Sequence, residues 1–194
     1  MTQRLLEATR RAGTARFVFA SSSSVYGNSD RYPTTEEALP RPHSPYGVSK
    51  LAAEHMCGLY GRNFGLQTIA LRYFTVYGPR QRPDMAMRRL IEAALDGTPF
   101  PLYGDGTQVR DFTYVSDVVA ANVAALTADV EPGSVFNVCG GSEVTMSEVI
   151  ADVEQLVGKP VLLDRHPAAA GDVSRTVATA AGPNGGSGGR PRRP

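Results

Sequence analysis

Residues 16–20 form a short, mostly apolar run, Arg-Phe-Val-Phe-Ala, that leads directly into four serines. A short run without polar alternation is typical of a strand buried on both faces of a parallel sheet. Helix-patterned segments flank it near residues 2–13 and 44–63. Alternating helices and buried strands predict an α/β fold. Ligands of such sheets bind beyond the carboxyl ends of the strands, so the serines lie where a ligand is expected.

Local signals define the other elements. Ser44 and Pro45 are a favoured N-cap and first helical residue, and Thr145 with Glu148 matches a capping box. We expect helices near residues 2–13, 44–63, 85–95, 115–128 and 145–157, and strands near 16–21, 66–72, 100–103, 112–115 and 135–138. This order predicts the back half of a doubly wound sheet and most of a small second α/β unit.

Tyr46 and Lys50 stand four residues apart, on one face of the helix near residues 44–63. The chain has eighteen arginines but only two lysines, so a lysine at this position is distinctive. A free phenol titrates near pH ~10, and a nearby ammonium favours the phenolate. The pair is therefore a candidate general base for an alcohol. The same spacing is common on ordinary amphipathic helices, and the surrounding motifs decide between the two interpretations.

Four motifs occur together: Ser21-Ser-Ser-Ser-Val-Tyr-Gly27, Tyr46-x-x-x-Lys50, Leu71-Arg-Tyr-Phe-Thr-Val-Tyr-Gly-Pro-Arg80 and Gly104-Asp-Gly-Thr-Gln-Val-Arg-Asp-Phe112. In this order they resemble the extended short-chain dehydrogenase/reductase family, and within it the nucleotide-sugar epimerases and dehydratases. The resemblance covers about residues 1–177. It implies an incomplete doubly wound, Rossmann-like parallel sheet with a small C-terminal α/β substrate domain. Residues 1–80 would be the C-terminal half of the NAD-binding domain. Residues 81–177 would be substrate-domain elements interleaved with the last Rossmann strand and helix.

The first βαβ units of that family, with the glycine-rich turn that holds the NAD pyrophosphate, have no counterpart in this sequence. We therefore expect about three βα units to be missing from the front. Residues 178–194 are mostly Gly, Pro, Arg and Ala without apolar periodicity, and are predicted to be a disordered tail. A gene fragment that ends in a frameshift and a flexible linker are both compatible with this composition.

The resemblance also implies roles for single residues. Ser22 matches the residue that hydrogen-bonds the reacting sugar hydroxyl, although a turn serine is the alternative. Tyr46 matches the catalytic base, and Lys50 matches the lysine that also holds the nicotinamide ribose. Tyr73 resembles a contact on the nicotinamide side, although an aromatic residue beside a strand also fits a core position. The candidate substrate contacts are Ser23, Ser24, Thr75, Arg82, Arg88 and Arg110, with Arg110 as the clamp on a UDP diphosphate.

The implied reaction is an NAD-dependent 4-epimerisation of UDP-glucuronate or UDP-glucose, by oxidation at C4, rotation of the 4-keto sugar and re-reduction. Ser23 and Ser24 stand where 4,6-dehydratases carry Asp-Glu, which argues against dehydration because no carboxylate remains there. Thr75, where UDP-glucose enzymes commonly have asparagine, favours glucuronate. A UDP-sugar decarboxylase or 4,6-dehydratase of the same family and a non-catalytic remnant unable to bind NAD remain alternatives.

Composition narrows the range of partners. The chain is 42% hydrophobic with a net charge of +1, and its basic residues are dispersed among nineteen acids, so nucleic acid is not an expected partner. No apolar run is long enough to suggest a membrane span, and a cytoplasmic location is the expectation. Two cysteines and three scattered histidines give no metal-ligand spacing.

The long helix also bears on oligomeric state. Leu51, Met56, Leu59 and Tyr60 offer more apolar surface than one sheet face requires. In the family that the chain resembles, this helix pairs with its twin in a second copy. The resemblance therefore implies a homodimer for the complete enzyme.

Overall fold

The computed structural model describes residues 1–169 and 171–179. The helices are α1 (Thr2–Arg11), α2 (Pro45–Phe64), α3 (Ala86–Asp96), α4 (Val115–Thr127) and α5 (Met146–Val157). The strands are β1 (Phe17–Ser22), β2 (Thr68–Tyr73), β3 (Thr75–Tyr77), β4 (Phe100–Tyr103), β5 (Val109–Arg110), β6 (Phe112–Tyr114), β7 (Ser134–Val138), β8 (Val144–Thr145), β9 (Leu163–His166) and β10 (Arg175–Thr176). A 3-10 turn spans Ser23–Val25.

The main sheet is parallel and has the order β1-β2-β7. Its register pairs Ser22 with Tyr73 and Tyr73 with Val138, so the carboxyl ends of the three strands lie in one row. Helices α1 and α2 cover one face, and α4 covers the other. The layered arrangement of helices around a parallel sheet confirms the predicted α/β fold class.

A second apolar core lies between α3, α5 and the parallel pair β4-β9. Its buried side chains are Leu90, Ala93, Ala94, Phe100, Leu102, Val149, Ile150, Val153 and Val161. Shorter pairings, β3 with β6 and β5 with both β8 and β10, connect this unit to the main sheet. The unit corresponds to the small α/β domain that the sequence predicts.

The capping signals locate the helix ends well. The Ser44 side chain accepts a hydrogen bond from the Gly47 amide, and Pro45 is the first residue of α2. Thr145 and Glu148 form the reciprocal capping box of α5. The short strands β3, β5, β8, β9 and β10, which are two to four residues long, were not expected from the sequence. Their pairing depends on contacts from distant parts of the chain.

The predicted tail boundary at residue 178 needs correction. Ala178 is buried and forms a parallel bridge with Thr34, and the Thr179 amide donates to the Thr34 carbonyl. The ordered chain therefore extends past the predicted boundary, because backbone pairing with a distant loop compensates for a local sequence without periodicity. The rest of the predicted tail, residues 180–194, lies outside the described residues.

Asp111 is a fully buried carboxylate between β5 and β6. It accepts hydrogen bonds from the Gly140 amide at 2.7 Å and the Gly141 amide at 3.1 Å. A side chain at position 140 would meet the Phe112 carbonyl at 2.1 Å, so this close approach requires glycine. Burial raises the pKa of the Asp111 carboxyl from 3.8 to about 6, and the backbone amides oppose that rise only in part.

This raised pKa predicts a pH-dependent stability. The folded chain holds the Asp111 proton more tightly than the unfolded chain, so stability falls as the pH rises from about 4 through about 6. The unfolding free energy relative to an Asp111→Asn variant should fall by about 2 kcal/mol over that interval. Urea denaturation followed by circular dichroism measures it.

Asp105→Asn is the matched control for this experiment. Asp105 is exposed, and hydrogen bonds from Thr107 lower the pKa of its carboxyl, so the unfolding free energy of the wild type relative to Asp105→Asn should show no such fall. The raised pKa of Asp111 would be contradicted if the unfolding free energy of the wild type relative to Asp111→Asn stayed constant between about pH 4 and pH 7.

Candidate functional site

Tyr46 and Lys50 lie in the first turns of α2, beside the carboxyl end of β1. The Lys50 Nζ atom donates a 2.9 Å hydrogen bond to the Ala20 carbonyl and lies 5.5 Å from the centre of the Tyr46 ring. Tyr46 is 54% exposed, so its hydroxyl is accessible to a ligand. The two side chains share one helix face, as the spacing predicts, and the edge of the sheet holds the ammonium in place.

The serine turn packs directly against the start of α2. A side chain at position 47 would meet the Ser24 carbonyl at 2.4 Å, so glycine is needed where the helix begins. Ser22 ends β1, and its Oγ atom accepts from the Ser24 amide at 3.2 Å and lies 3.1 Å from the Ser24 Oγ atom. Ser22 therefore caps the 3-10 turn, which is the structural alternative. It does so at the end of the strand whose Ala20 carbonyl binds Lys50.

A cavity of about 180 Å³ opens next to this turn, and four of the predicted substrate residues line it: Ser23, Ser24, Thr75 and Arg110. A second cavity of about 240 Å³ shares Thr75, Arg110 and Asp172 with the first. The first cavity is lined mainly by polar residues, whereas the second is largely apolar, between residues 85–87 and 100–103. The joined cavities suit an elongated ligand with a polar head and a flat or apolar end.

Arg110 lies at the junction of the two cavities. Its guanidinium donates to the Asp172 carboxylate at 2.6 Å and to the Val109 carbonyl at 3.0 Å. The Arg110 side chain is only 15% exposed, so these two contacts fix its orientation. Asp172 was not a predicted site residue, because its only signal was its place in a Gly-Asp-Val-Ser motif outside the segments used for the site prediction. His43, which also lines the polar cavity, was missed as well.

Two predicted substrate arginines lie elsewhere. Arg82 pairs with Asp84 on the surface at 2.8 Å, with 74% of its side chain exposed. Arg88 pairs with Glu92 and lines a larger groove of about 740 Å³ between α3 and α5. Neither residue lines the two joined cavities. The structure brings Ser23, Ser24, Thr75 and Arg110 together and leaves Arg82 on the surface. Arg88 lines the larger groove, which shares Gln81, Met87, Phe112 and Val149 with the apolar cavity.

Tyr73 was predicted to be either a nicotinamide contact or a core aromatic beside a strand. Its contacts are those of a core residue, and the nicotinamide contact stays a prediction. It lies next to Ser22 in the sheet register, as a site residue would. Its ring packs in the apolar cluster under α4, and its hydroxyl donates to the Asn122 side chain at 2.9 Å. Desolvation in this cluster raises the pKa of the Tyr73 hydroxyl. The contact with Asn122 is therefore the one that fixes the orientation of the ring.

A buried ion pair lies directly behind the candidate base. Glu54 follows Lys50 by four residues on α2, and its carboxylate accepts two hydrogen bonds from Arg72 of β2, at 2.9 and 2.7 Å. The Ser21 hydroxyl also donates to Glu54. Arg72 continues to the Tyr26 hydroxyl at 2.7 Å. Neither Glu54 nor Arg72 was predicted as a site residue, because their partners are distant in sequence.

The remaining chemistry-bearing groups give no second centre in the described part of the chain. Residues 1–169 and 171–179 contain no group of three or more His, Cys, Asp or Glu side chains arranged to hold a metal ion. Burial raises the pKa of the Cys57 thiol to about 11 and that of Cys139 to about 12, which disfavours the reactive thiolate. Among the described helices, none is long and apolar enough to cross a membrane.

The family model described as "NAD dependent epimerase/dehydratase family" matches residues 1–139. An uncharacterised UDP-glucose epimerase of Bacillus subtilis strain 168, YtcB, is 44% identical over 91% of this chain and 55% of its own length. The crystal structure of UDP-glucuronic acid 4-epimerase from Bacillus cereus, in complex with UDP-glucuronic acid and NAD, aligns with a TM-score of 0.89 and 42% identity, over 94% of this chain and 58% of that one. MoeE5, in complex with UDP-glucuronic acid and NAD, aligns with a TM-score of 0.92 and 46% identity, over all of this chain and 65% of its own. The chain spans about half the length of the curated relatives it matches.

The position of Arg110 predicts its effect on anion binding. Arg110→Lys replaces a planar fork with a point charge, and should weaken the binding of uridine diphosphate to this chain about tenfold. Isothermal titration calorimetry measures the dissociation constant. Arg82→Lys alters an arginine that is also paired with an aspartate, and should leave the constant unchanged. Equal losses of uridine diphosphate affinity in both variants would support Arg82 as a substrate residue. Unchanged affinity in Arg110→Lys would show that Arg110 does not bind the diphosphate.

Proposed function

Because the chain belongs to the NAD-dependent epimerase/dehydratase family, we propose that it carries the proton-transfer and substrate-binding half of a nucleotide-sugar 4-epimerase. One observation carries the proposal. The Tyr46-Lys50 face follows Ser44, which lines a polar cavity that also collects Ser23, Ser24, Thr75 and Arg110 from three separate segments. A base, hydroxyl donors and an anion clamp at one end of a parallel sheet are the groups that a phosphorylated alcohol substrate requires.

The proposed chemistry assigns a separate task to each residue. NAD, when bound, supplies the acceptor and later the donor of the hydride at C4 of the sugar. Tyr46 removes the C4 hydroxyl proton as that carbon becomes a carbonyl, and returns it when the hydroxyl forms again on the opposite face. Lys50 places its positive charge beside the Tyr46 ring. Ser22 holds the reacting oxygen, and Arg110 binds the diphosphate while the sugar rotates.

The described residues fit only the nicotinamide end of NAD. Lys50 uses one donor proton on the Ala20 carbonyl, which leaves two for ribose hydroxyls. In residues 1–169 and 171–179, no strand runs through a glycine-rich turn directly into a helix, the arrangement that holds a pyrophosphate. The Gly140 and Gly141 amides, which follow β7, already donate to Asp111.

Binding of uridine diphosphate, and not of NAD, separates the proposed half of an enzyme from a non-catalytic remnant. The 194-residue chain alone should show no measurable affinity for NAD, because Tyr46 and Lys50 contact only one end of the cofactor. The same chain should bind uridine diphosphate through Arg110. A thermal-shift titration with each ligand measures both. A clear shift with NAD would contradict the partial-site interpretation, and no response to uridine diphosphate would favour the remnant.

The proposed substrate is UDP-glucuronate, with UDP-glucose as the alternative. Ser23, Ser24 and Thr75 supply hydroxyl donors for a sugar carboxylate. Asp172 also lines the polar cavity, but the Arg110 guanidinium pairs with that carboxylate at 2.6 Å. This pairing leaves no uncommitted carboxylate among the described residues that line the polar cavity, which favours epimerisation over 4,6-dehydration. A UDP-sugar decarboxylase is compatible with the same hydroxyls.

Turnover tests this proposal in a chimera that joins residues 1–179 to the preceding nucleotide-binding half of the Bacillus cereus UDP-glucuronic acid 4-epimerase. Tyr46→Phe keeps the ring and removes the proton-transfer group, so kcat should fall ~10²- to 10⁴-fold while NAD affinity stays nearly unchanged. Product formation from UDP-glucuronate and from UDP-glucose is followed separately. An unaltered rate in Tyr46→Phe would remove Tyr46 from the mechanism. A higher kcat/KM for UDP-glucose, unaffected by Thr75→Val, would refute the glucuronate assignment.

The homodimer and the cytoplasmic location stay predictions. Met56 and Leu59 are exposed on α2 and suit a helix-pairing surface. Two residues assigned to that surface from the sequence lie inside instead: Tyr60 is buried beneath α1, and Leu51 packs against the cluster around Val25. The apolar surface is therefore smaller than predicted. Light scattering of the complete protein measures the oligomeric state.

A further inference from the structure

We infer that Glu54 and Arg72 act as a positioning pair, which holds the helix face of the catalytic base at a fixed distance from the serine turn. The inference rests on the proposed function. It adds two residues that touch neither the cavities nor the reacting atoms. They act through the neighbours of the catalytic groups, since Ser21 precedes Ser22 and Arg72 precedes Tyr73.

The spacing of residues along α2 places Glu54 on the same helix face as the candidate catalytic residues. Tyr46, Lys50 and Glu54 follow one another at intervals of four residues, so they lie on one face of the helix. Lys50 binds the Ala20 carbonyl, and Glu54 binds the Ser21 hydroxyl of the same strand. Two consecutive side chains of the face therefore fasten α2 to two consecutive residues of β1. Any rotation or slide of the helix would break both contacts.

Arg72 extends the same contact across the sheet. Its guanidinium donates two bonds to Glu54 and one to the Tyr26 hydroxyl, and it stacks on the Tyr26 ring at 4.7 Å. The Tyr26 hydroxyl donates to Asn137 of β7 at 2.7 Å. One connected set of hydrogen bonds thus joins the base-bearing helix, the serine turn and all three strands of the main sheet.

Stability alone does not account for this ion pair. The Arg72 and Glu54 side chains are only 6% and 4% exposed, and taking two charges out of water opposes most of their mutual attraction. Apolar residues of similar volume are often equally stable at such positions. Apolar residues lack directional bonds, whereas the guanidinium fork fixes both the distance and the plane of the carboxylate. The ion pair therefore contributes a fixed distance and orientation between α2 and the sheet. We infer that this fixed arrangement positions the proposed catalytic groups.

The test separates geometry from stability. Glu54→Gln and Arg72→Met each leave one buried group unpaired and should lower the melting temperature. The double variant Glu54→Leu/Arg72→Met removes both charges and should recover most of that loss. In the chimera, the kcat of the double variant should nevertheless stay ~10- to 100-fold below that of the parent chimera, because small displacements of reacting groups have effects of this size. The KM of the double variant should change less than ~threefold. A double variant with recovered stability and the parent kcat would overturn the inference.

Glu7→Gln is the matched control. It also removes a carboxylate with two arginine partners, Arg10 and Arg11. This half-buried carboxylate of α1 touches α2 only near its far end, where the Tyr60 hydroxyl donates to it at 3.3 Å, so the variant should leave kcat unchanged. A loss of kcat in this control equal to that of the double variant would show a general effect of lost ion pairs and would overturn the inference. If the double variant does not fold, Glu54→Asp takes its place. It keeps the charge and shortens the side chain by one methylene, and a parent kcat in this variant would again overturn the inference.

The unextended 194-residue chain provides a test that does not need turnover. Amide hydrogen exchange by NMR should be at least tenfold faster in the double variant at Tyr26 and Val48, whose amides bind the Ser23 and Ser44 carbonyls. Exchange within α5 should stay the same. If the parent chimera converts neither UDP-sugar, the proposed function fails and this measurement alone decides the positioning role. Unchanged exchange at Tyr26 and Val48 would overturn it.

Discussion

The parallel register of β1, β2 and β7 is the constraint on which the site depends. Parallel strands bring their carboxyl ends to one edge, and here that edge aligns Ser22, Tyr73 and Val138. The helix that follows the serine turn must begin close to this edge, and Gly47 allows it by permitting contact with the Ser24 carbonyl. Side chains that are distant in sequence then converge without any one segment encoding the site.

That convergence brings polar groups into a buried region, and the chain satisfies them in two ways. Glu54 is neutralised by a guanidinium with matching geometry. Asp111 has no cation in its hydrogen-bond shell and depends on backbone amides of the turn after β7, so burial raises the pKa of its carboxyl to about 6. Both carboxylates fasten a segment adjacent to the cavities: Glu54 holds the base helix, and Asp111 holds the strand that follows Arg110. Buried polar groups of this kind specify one arrangement, because each loses its partners in any other.

Local chemistry explains which features could be predicted from the sequence. Ser44, Pro45, Thr145 and Glu148 act through neighbours within a turn, so their pattern was sufficient to locate the helix ends. The same is true of the Tyr46-Lys50 spacing. By contrast, β5, β8 and β10 are two-residue pairings whose partners lie more than thirty residues apart, and no local pattern encodes them. Arg82 and Arg110 have equal charge, and only the tertiary structure distinguishes the exposed one from the one at the cavity junction.

The Arg110-Asp172 pair illustrates how a carboxylate can assist an anion site. Arg110 uses two of its five donor protons, on Val109 and Asp172, and three remain for a ligand. A diphosphate can therefore bind without displacing Asp172, and the guanidinium need not be ordered again on binding, which lowers the entropic cost. The same carboxylate repels negative charge that approaches from its own side. Arg110 lines both cavities, so an anion in either of them can contact the guanidinium. Under the proposed function, Arg110 would hold the diphosphate of a nucleotide sugar, with the sugar towards Ser23 and Ser24 and the base towards the apolar cavity.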